Sequence, residues 1–154
     1  MQASSGRTGA GAESGEVAVL SIPGRLEYLP FADALLAGIA SAFRIGDEEK
    51  DAFSIAILEA GTNAIQHGSK FDESKNIIFS FVVERGNLSV LVKDEGPGFE
   101  LDKVLLKGKP EDWTTLRGRG IFIMRSLMRT VDFAFGKEKG TTVLLSEPKP
   151  SERS

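Results

Sequence analysis

Hydrophobic positions recur every three to four residues over residues 31–43 and 48–67, which predicts two amphipathic helices. A similar spacing over residues 118–130 predicts a third helix near the C-terminus. Gly68 directly follows the second helix, and we expect it to be the left-handed residue that ends this helix.

Strand patterns occupy much of the remaining chain. Residues 16–22 and 76–84 are rich in β-branched and aromatic side chains, and apolar and polar residues alternate over 88–93. Residues 131–135 and 141–145 have the pattern of a closing hairpin. This order of elements predicts an α/β two-layer sandwich, in which a mostly antiparallel mixed sheet carries the helices on one face.

Composition divides the chain into a single domain and two polar ends. Residues 1–15 are mainly Gly, Ser and Ala, which predicts a disordered leader, and residues 148–154 form a polar tail. We expect one domain over 16–147. Within this domain, residues 100–117 are charged and lack a clear period, so we interpret them as a lid over a binding site.

The overall composition excludes several classes of protein. The chain has 154 residues and is 41% hydrophobic and 27% charged, as is typical of a soluble globular domain. A net charge of −3 does not favour a nucleic-acid binder, and the absence of cysteine excludes disulfides and thiolate metal sites. The apolar runs are short for a membrane span and no secretory signal is visible, so we expect a cytoplasmic protein.

The first candidate for chemistry is the pair Glu59 and Asn63 in the second predicted helix. Their spacing of four residues puts both side chains on one face, about one turn apart. A carboxylate can accept a proton from a nucleophile, and an amide oxygen can ligate Mg²⁺. Taken singly, each is more often an ordinary polar group of a helix. Gly61 and Thr62 lie between Glu59 and Asn63 and are weak helix formers. Their presence in a predicted helix favours a functional role for this stretch.

A glycine-rich segment follows the strand over residues 88–93. Asp94 would accept a hydrogen bond from an exocyclic amine such as that of adenine, while Gly96 and Gly98 would let the backbone approach the ligand closely. The alternative is a turn that ends the strand, for which Gly and Pro are suited.

The third candidate precedes the last predicted helix. Gly118 and Gly120 would present the free N–H groups of a helix start to phosphate, and Arg117 and Arg119 would add positive charge. The alternative is a flexible joint with solvated arginines. The single histidine, His67, is interpreted as a structural group at a helix end and not as a phosphoacceptor.

In combination, these three stretches resemble the motifs of the GHKL ATPase and kinase superfamily, which has the Bergerat fold. They are most similar to those of the bacterial anti-sigma factor serine/threonine-protein kinases, and the resemblance covers about residues 17–145. The matching residues are Glu59 and Asn63 in the N box, Asp94, Gly96 and Gly98 in the first glycine box, Gly118 and Gly120 in the second, and Gly140, Thr141 and Thr142 in the closing Gly-Thr-Thr.

The resemblance implies a role for each of these groups. Glu59 would be the general base toward a serine hydroxyl, and Asn63 would ligate a Mg²⁺ ion that bridges the phosphates of ATP. Asp94 and Thr142 would contact adenine, and the glycines would shape the pocket and its lid. The family also has an arginine near the second glycine box, for which Arg117 and Arg119 are alternatives.

The resemblance also implies partners, namely a sigma factor, an anti-sigma antagonist of the STAS type that is phosphorylated on Ser or Thr, and a second copy of the chain in a homodimer. The net charge and the short apolar runs predict no direct contact with nucleic acid or membrane. The main alternative is a non-catalytic module that binds ATP only to switch between partners. The presence of Glu59 favours the kinase, because a pure binding module needs no base. The catalytic part of a histidine kinase and a gyrase- or chaperone-type ATPase fit less well.

Overall fold

The structure is a computed structural model that describes residues 15–95, 116–135 and 140–150. Its strands are β1 (Glu16–Pro23), β2 (Asn76–Glu84), β3 (Asn87–Asp94), β4 (Met128–Phe135) and β5 (Thr141–Pro148). Its helices are α1 (Leu29–Phe43), α2 (Asp47–Asn63) and α3 (Leu116–Leu127), with a 3₁₀ turn at Leu26–Tyr28 and a π-helical turn at Ala64–Gly68.

The strands form one sheet with the order β1-β2-β3-β5-β4, and every described pairing is antiparallel. Side chains alternate between its two faces, as the strand period of two requires. In β2, Phe79, Phe81 and Val83 are buried, whereas Ser80 and Val82 between them are only half-buried. The buried face packs against the helices. The predicted α/β sandwich is therefore confirmed.

Helix α2 is the central helix of the layer, and α1 and α3 pack on either side of it. Phe53, Ala56 and Ile57 on its inner side are completely buried in the core. At Gly61, a methyl group in place of hydrogen would lie 2.6 Å from a Leu29 methyl carbon and 3.2 Å from the Phe79 ring. The Leu29 side chain would have to move to admit a methyl group, so this glycine lets α2 lie close to both α1 and the sheet.

The helical stretch Leu26–Phe43 is long and apolar enough to cross a membrane by length and composition alone, and it is the only such helix in the described part of the chain. However, Leu29, Ala32, Leu36 and Ile39 in this stretch belong to the buried core. One side of the stretch therefore belongs to the core, while 28% of its residues are buried in all.

Several predicted boundaries differ from the observed ones. The third helix ends at Leu127 rather than at residue 130, because Met128 and Thr130 already pair with β5. The prediction that Gly68 is left-handed is wrong, since the glycines with positive φ among the described residues are Gly86 and Gly140. The predicted leader up to residue 14, most of the predicted lid and the tail beyond residue 150 lie outside the described residues.

Candidate functional site

The predicted pair on α2 lies against the N-terminal part of α3. A methyl group placed on Gly120 would lie 3.0 Å from Oε2 of Glu59 and 3.0 Å from Nδ2 of Asn63. Glu59 is half-buried and Asn63 is buried, with 5% of its surface exposed. Since both side chains reach the backbone of Gly120, the structure brings three of the predicted site residues together.

A small pocket opens beside this contact, between α2, α3 and the sheet. Its polar lining residues are Asn63, Asp94 and Thr141. The apolar lining residues are Ala60, Ala64, Val92, Met124, Phe133 and Val143. Apolar walls with a few convergent polar groups are typical of a site for a small organic ligand.

Asp94 is the last residue of β3 and is 3% exposed. Its carboxylate packs directly on Gly68, where a methyl group would be only 2.8 Å from Oδ1 and closer still to the other carboxylate oxygen. Gly140 covers the backbone of the same residue, because a methyl group there would be 2.7 Å from the Asp94 carbonyl oxygen. Gly140 also has a φ of +130°, which only glycine adopts readily. Because Gly68 and Gly140 have no side chains, the carboxylate and the backbone of Asp94 can lie directly against them.

The chain brings Gly68 to Asp94 through the π-helical turn that follows Asn63. The N–H of Ser69 donates to the carbonyl of Ala64 at 2.7 Å, five residues back, as in a π-helix. Lys70 and Phe71 then have φ values of 54° and 60°, in the left-handed region. Such backbone costs on the order of 1–3 kcal/mol per residue and often occurs at functional sites.

The closing strand presents Thr141, and not Thr142, to the pocket. Thr141 is 3% exposed and lines the cavity with Val143, two residues further along β5. Thr142 is half-buried and, by strand alternation, lies on the opposite face of the sheet. The family resemblance assigns the adenine contact to Thr142, whereas the structure puts Thr141 of the same Gly-Thr-Thr motif in the pocket lining. The alternation of Thr141, Val143 and Leu145 in the sequence was the signal for the inward-facing residue.

Two polar atoms in the pocket lack hydrogen-bond partners among the described residues. They are Nδ2 of Asn63 and Oγ1 of Thr141, both buried. Buried polar atoms are normally paired, so both atoms are available to a polar ligand. The oxygen and nitrogen of an amide are assigned and not observed directly, so the Asn63 side chain could equally present its oxygen to the site.

The Asn63 amide oxygen fits a Mg²⁺ ion that is held jointly with a nucleotide. The described residues contain no group of three or more His, Asp or Glu side chains that could hold a metal by themselves. Mg²⁺ at phosphate-transfer sites keeps several waters and uses few protein ligands together with the substrate phosphates. A single Asn oxygen therefore agrees with this mode of binding.

The remaining predicted site residues have a less complete description. Gly96 and Gly98 lie outside the described residues, and so does the side chain of Arg117. The backbone of Gly118 belongs to α3, and Arg119 is an exposed residue of the same helix. His67 is half-buried in the π-helical turn, close in sequence to the Gly68–Asp94 contact.

Residues 22–146 match the family described as histidine kinase-like ATPase domain. This range includes α1, α2 and α3, the pocket and all the predicted site residues. The family resemblance expected from the three motifs is therefore confirmed.

Individual relatives match over most of their length. The chain is 30% identical over 140 residues to the serine-protein kinase RsbW of Bacillus subtilis (strain 168), covering 87% of this chain and 86% of the relative. It is 31% identical over 137 residues to the serine-protein kinase RsbW of Bacillus licheniformis, covering 85% and 84%. The serine-protein kinase RsbW of Oceanobacillus iheyensis is 27% identical over 134 residues, covering 83% and 84%. The chain therefore belongs to the histidine kinase-like ATPase family, in its branch of RsbW serine-protein kinases.

Proposed function

We propose that this protein is an ATP-dependent serine/threonine-protein kinase that acts as an anti-sigma factor. The observation that carries the proposal is the meeting of Glu59, Asn63 and Gly120 at the edge of a pocket that also contains Asp94. A nucleotide with its base beside Asp94 would extend its phosphates toward Asn63. An acceptor hydroxyl could then approach the terminal phosphate from the side of Glu59.

In this proposal each side chain has a separate task. The Glu59 carboxylate accepts the proton of the acceptor hydroxyl as that oxygen attacks phosphorus. Asn63 holds the metal end of the nucleotide, and Mg²⁺ when bound neutralises charge on the phosphates. Asp94 accepts a hydrogen bond from the adenine amine. The Thr141 hydroxyl makes a second polar contact with the adenine. Arg119 or Arg117 contacts a phosphate.

The partners in the proposal come from the family resemblance and from the names of the relatives. The protein would bind a sigma factor, phosphorylate a STAS-type antagonist on Ser or Thr, and work as a homodimer in the cytoplasm. The relatives are named as serine-protein kinases, which agrees with a serine acceptor. The alternative of a non-catalytic module is less favoured, because Glu59 lies beside Asn63 at the edge of the pocket.

The role of Glu59 can be tested by phosphotransfer. The purified chain is incubated with Mg²⁺, labelled ATP and each STAS-domain protein encoded in the same genome. We expect transfer of phosphate to a Ser or Thr of one of them. The rate should fall about 10²–10⁴-fold in Glu59→Gln, because a correctly placed general base accelerates proton transfer by about this factor. The affinity for ATP should remain within about twofold, since in the proposal Glu59 does not hold the nucleotide.

Glu49→Gln provides the matched control, because Glu49 is an exposed acid in the first turn of the same helix. This variant should keep the full rate. If Glu59→Gln transferred phosphate as fast as the unchanged protein, Glu59 would not be the base. If no STAS-domain protein were phosphorylated, the non-catalytic alternative would replace the kinase.

A further inference from the structure

The chain segment over residues 69–75 connects two residues that lie against Asp94. Gly68 directly precedes the segment and packs on the Asp94 carboxylate. Ile77 follows the segment in β2 and is the partner of Asp94 in the pairing of β2 with β3. The conformation of residues 69–75 therefore determines where Gly68 lies relative to the carboxylate that contacts adenine in the proposed function.

Ser69 is the residue that holds this segment against the rest of the domain. All of residues 69–75 are described, and Ser69 alone among them is buried, with 2% of its surface exposed. Phe71, the large apolar side chain of the segment, is 54% exposed. Lys70 and Phe71 have φ values of 54° and 60°, and such backbone persists only where its surroundings hold it in place. Since Phe71 does not anchor the segment, its conformation depends on hydrogen bonds.

The Ser69 hydroxyl replaces a hydrogen-bond donor that the π-helical turn diverts. In an α-helix, the N–H of Ser69 would donate to the carbonyl of Ile65, four residues back. In the structure this N–H donates to the carbonyl of Ala64 instead. The Ile65 carbonyl accepts from the Ser69 hydroxyl at 3.1 Å and from the N–H of Phe71 at 2.9 Å. The hydroxyl therefore favours the π-helical turn over the α-helical alternative.

The backbone at the end of β1 lies on the other side of this hydroxyl. A methyl group on Gly24 would lie 2.9 Å from Oγ of Ser69 and 3.1 Å from the carbonyl oxygen of Asp72. The N–H of Gly24 donates to the carbonyl of Lys75 at 3.1 Å, so the far end of the segment is also joined to this backbone. Ser69 therefore lies between Gly24 and the π-helical turn, and the close backbone of Gly24 restricts where its hydroxyl can lie.

We propose that Ser69 is a positioning residue for the Asp94 carboxylate and thereby determines the preference of the site for a 6-aminopurine nucleotide. The Ser69 hydroxyl maintains the π-helical turn, and the turn holds Gly68 against Asp94. This contact keeps the carboxylate directed toward the adenine amine. The inference rests on the proposed function, in which Asp94 contacts adenine. Ser69 does not line the described pocket, so it acts through Asp94 and not by touching the nucleotide.

The test compares two nucleotides that differ only in the exocyclic amine. Mg-ATP carries this amine, whereas the triphosphate of purine riboside lacks it. We expect the full-length chain to bind Mg-ATP at least about tenfold more tightly than the second nucleotide, because the amine donates to a charged carboxylate. In Ser69→Ala this ratio should fall to about threefold or less, mainly through weaker binding of Mg-ATP. Calorimetric titration measures both affinities.

Two further variants separate positioning from a general loss of structure. Ser74→Ala removes an exposed hydroxyl of the same segment, which donates to Asp72, and should leave the ratio unchanged. Gly24→Ala crowds the Ser69 hydroxyl from the β1 side and should lower the ratio in a chain that keeps the serine. Partial unfolding would reduce binding of both nucleotides alike, so the ratio responds to positioning and not to stability. Circular dichroism verifies that each variant is folded.

A double variant tests whether Ser69 acts through Asp94. When Asp94→Asn is already present, adding Ser69→Ala should change the ratio by less than about twofold, because the carboxylate that the serine positions is absent. An effect of Ser69→Ala as large as in the unchanged protein would mean that the serine influences the nucleotide by another route, and the positioning role would be wrong.

The remaining outcomes distinguish the positioning role from the proposed function. If the unchanged protein preferred Mg-ATP and Ser69→Ala kept that preference, Asp94 would contact adenine without help from Ser69. If Ser69→Ala did not fold, an unchanged ratio in Gly24→Ala would refute the positioning role. Equal binding of both nucleotides by the unchanged protein would refute the adenine contact of Asp94 and the positioning role together. Since these measurements need only nucleotide binding, a failure of phosphotransfer would leave them intact.

Discussion

Thr141 and Thr142 are identical neighbours in sequence, but they lie on opposite faces of the sheet. The buried hydroxyl of Thr141 lines the pocket and has no partner among the described residues. Thr142 pairs across the sheet with Lys93 and Ala134 at the backbone and is half-buried. Because successive side chains of a strand lie on opposite faces of the sheet, only the Thr141 hydroxyl can reach a ligand in the pocket.

Valine substitutions should separate the two threonines, because valine has nearly the same shape as threonine and lacks the hydroxyl. We expect Thr141→Val to weaken ATP binding by about 5–10-fold, the effect of one lost hydrogen bond of about 1 kcal/mol. Thr142→Val should change the affinity by less than about twofold. Calorimetric titration with Mg-ATP measures both. A larger loss for Thr142→Val would favour the original assignment of Thr142 to adenine.

Gly68 illustrates what could not be predicted at the level of single residues. A glycine directly after a helix usually indicates a left-handed C′ position, and this was the expectation from sequence. In the structure the glycine is needed because the Asp94 carboxylate packs against it. The two residues are far apart in the chain and meet only through the π-helical turn. No local pattern contains that information.

At the scale of elements, the approach of α3 to α2 depends on Gly120. The side chains of Glu59 and Asn63 occupy the space that a Cβ at this position would need. A glycine in a helix costs about 1 kcal/mol relative to alanine, so its presence in α3 has a packing reason. That reason is the close contact with the two polar groups on α2.

Gly120→Ala should therefore affect chemistry more than folding. The added methyl group would be 3.0 Å from Glu59 Oε2 and would displace the flexible ends of Glu59 and Asn63. We expect the rate of phosphotransfer to fall about 10–100-fold, since small displacements of catalytic groups have such effects. The melting temperature should change little, because alanine favours the helix. Steady-state kinetics and a thermal melt measure the two effects.

Gly38→Ala is the matched control, because nothing lies within 4 Å of a methyl group at this exposed helical position. It should leave the rate unchanged and raise stability slightly. An equal loss of rate in both variants would show that crowding at Gly120 is not the cause.

The elements themselves were largely predictable, because their hydrophobic periods are local properties of the chain. The hairpin of β2 and β3 was predicted from its alternation, and its two-residue turn has positive φ at Arg85 and Gly86, as a type I′ turn requires. The position of β5 between β3 and β4 could not be predicted, because sheet order depends on contacts distant in sequence. Yet this order is what puts Thr141 beside Asp94.

At the scale of the whole molecule, the pocket is formed by both layers of the sandwich. Asn63 and Met124 come from the helical layer, while Asp94, Thr141 and Val143 come from the sheet. A nucleotide in this pocket would contact both layers at once, so its binding should stabilise the folded chain as a unit.

Mg-ATP should accordingly raise the melting temperature. At a concentration 100 times Kd, ligand binding adds about 2.7 kcal/mol to stability. For a domain of this size the corresponding increase is about 5–11 °C. Chelation of Mg²⁺ should reduce the increase, because Asn63 would lose the metal that links it to the phosphates. Differential scanning calorimetry provides the measurement, and an identical increase with and without the chelator would contradict the role of Asn63.

The π-helical turn at Ala64–Gly68 has a consequence for how homologous sequences can diverge by insertion or deletion. Loss of one residue from this turn would restore an ordinary helix and rotate the following chain by about 100°. Glu59 and Asn63 would keep their places, whereas Gly68 would turn away from Asp94. We therefore expect no insertions or deletions between Asn63 and Gly68 in homologous sequences. The loop before Asp47, by contrast, could tolerate them.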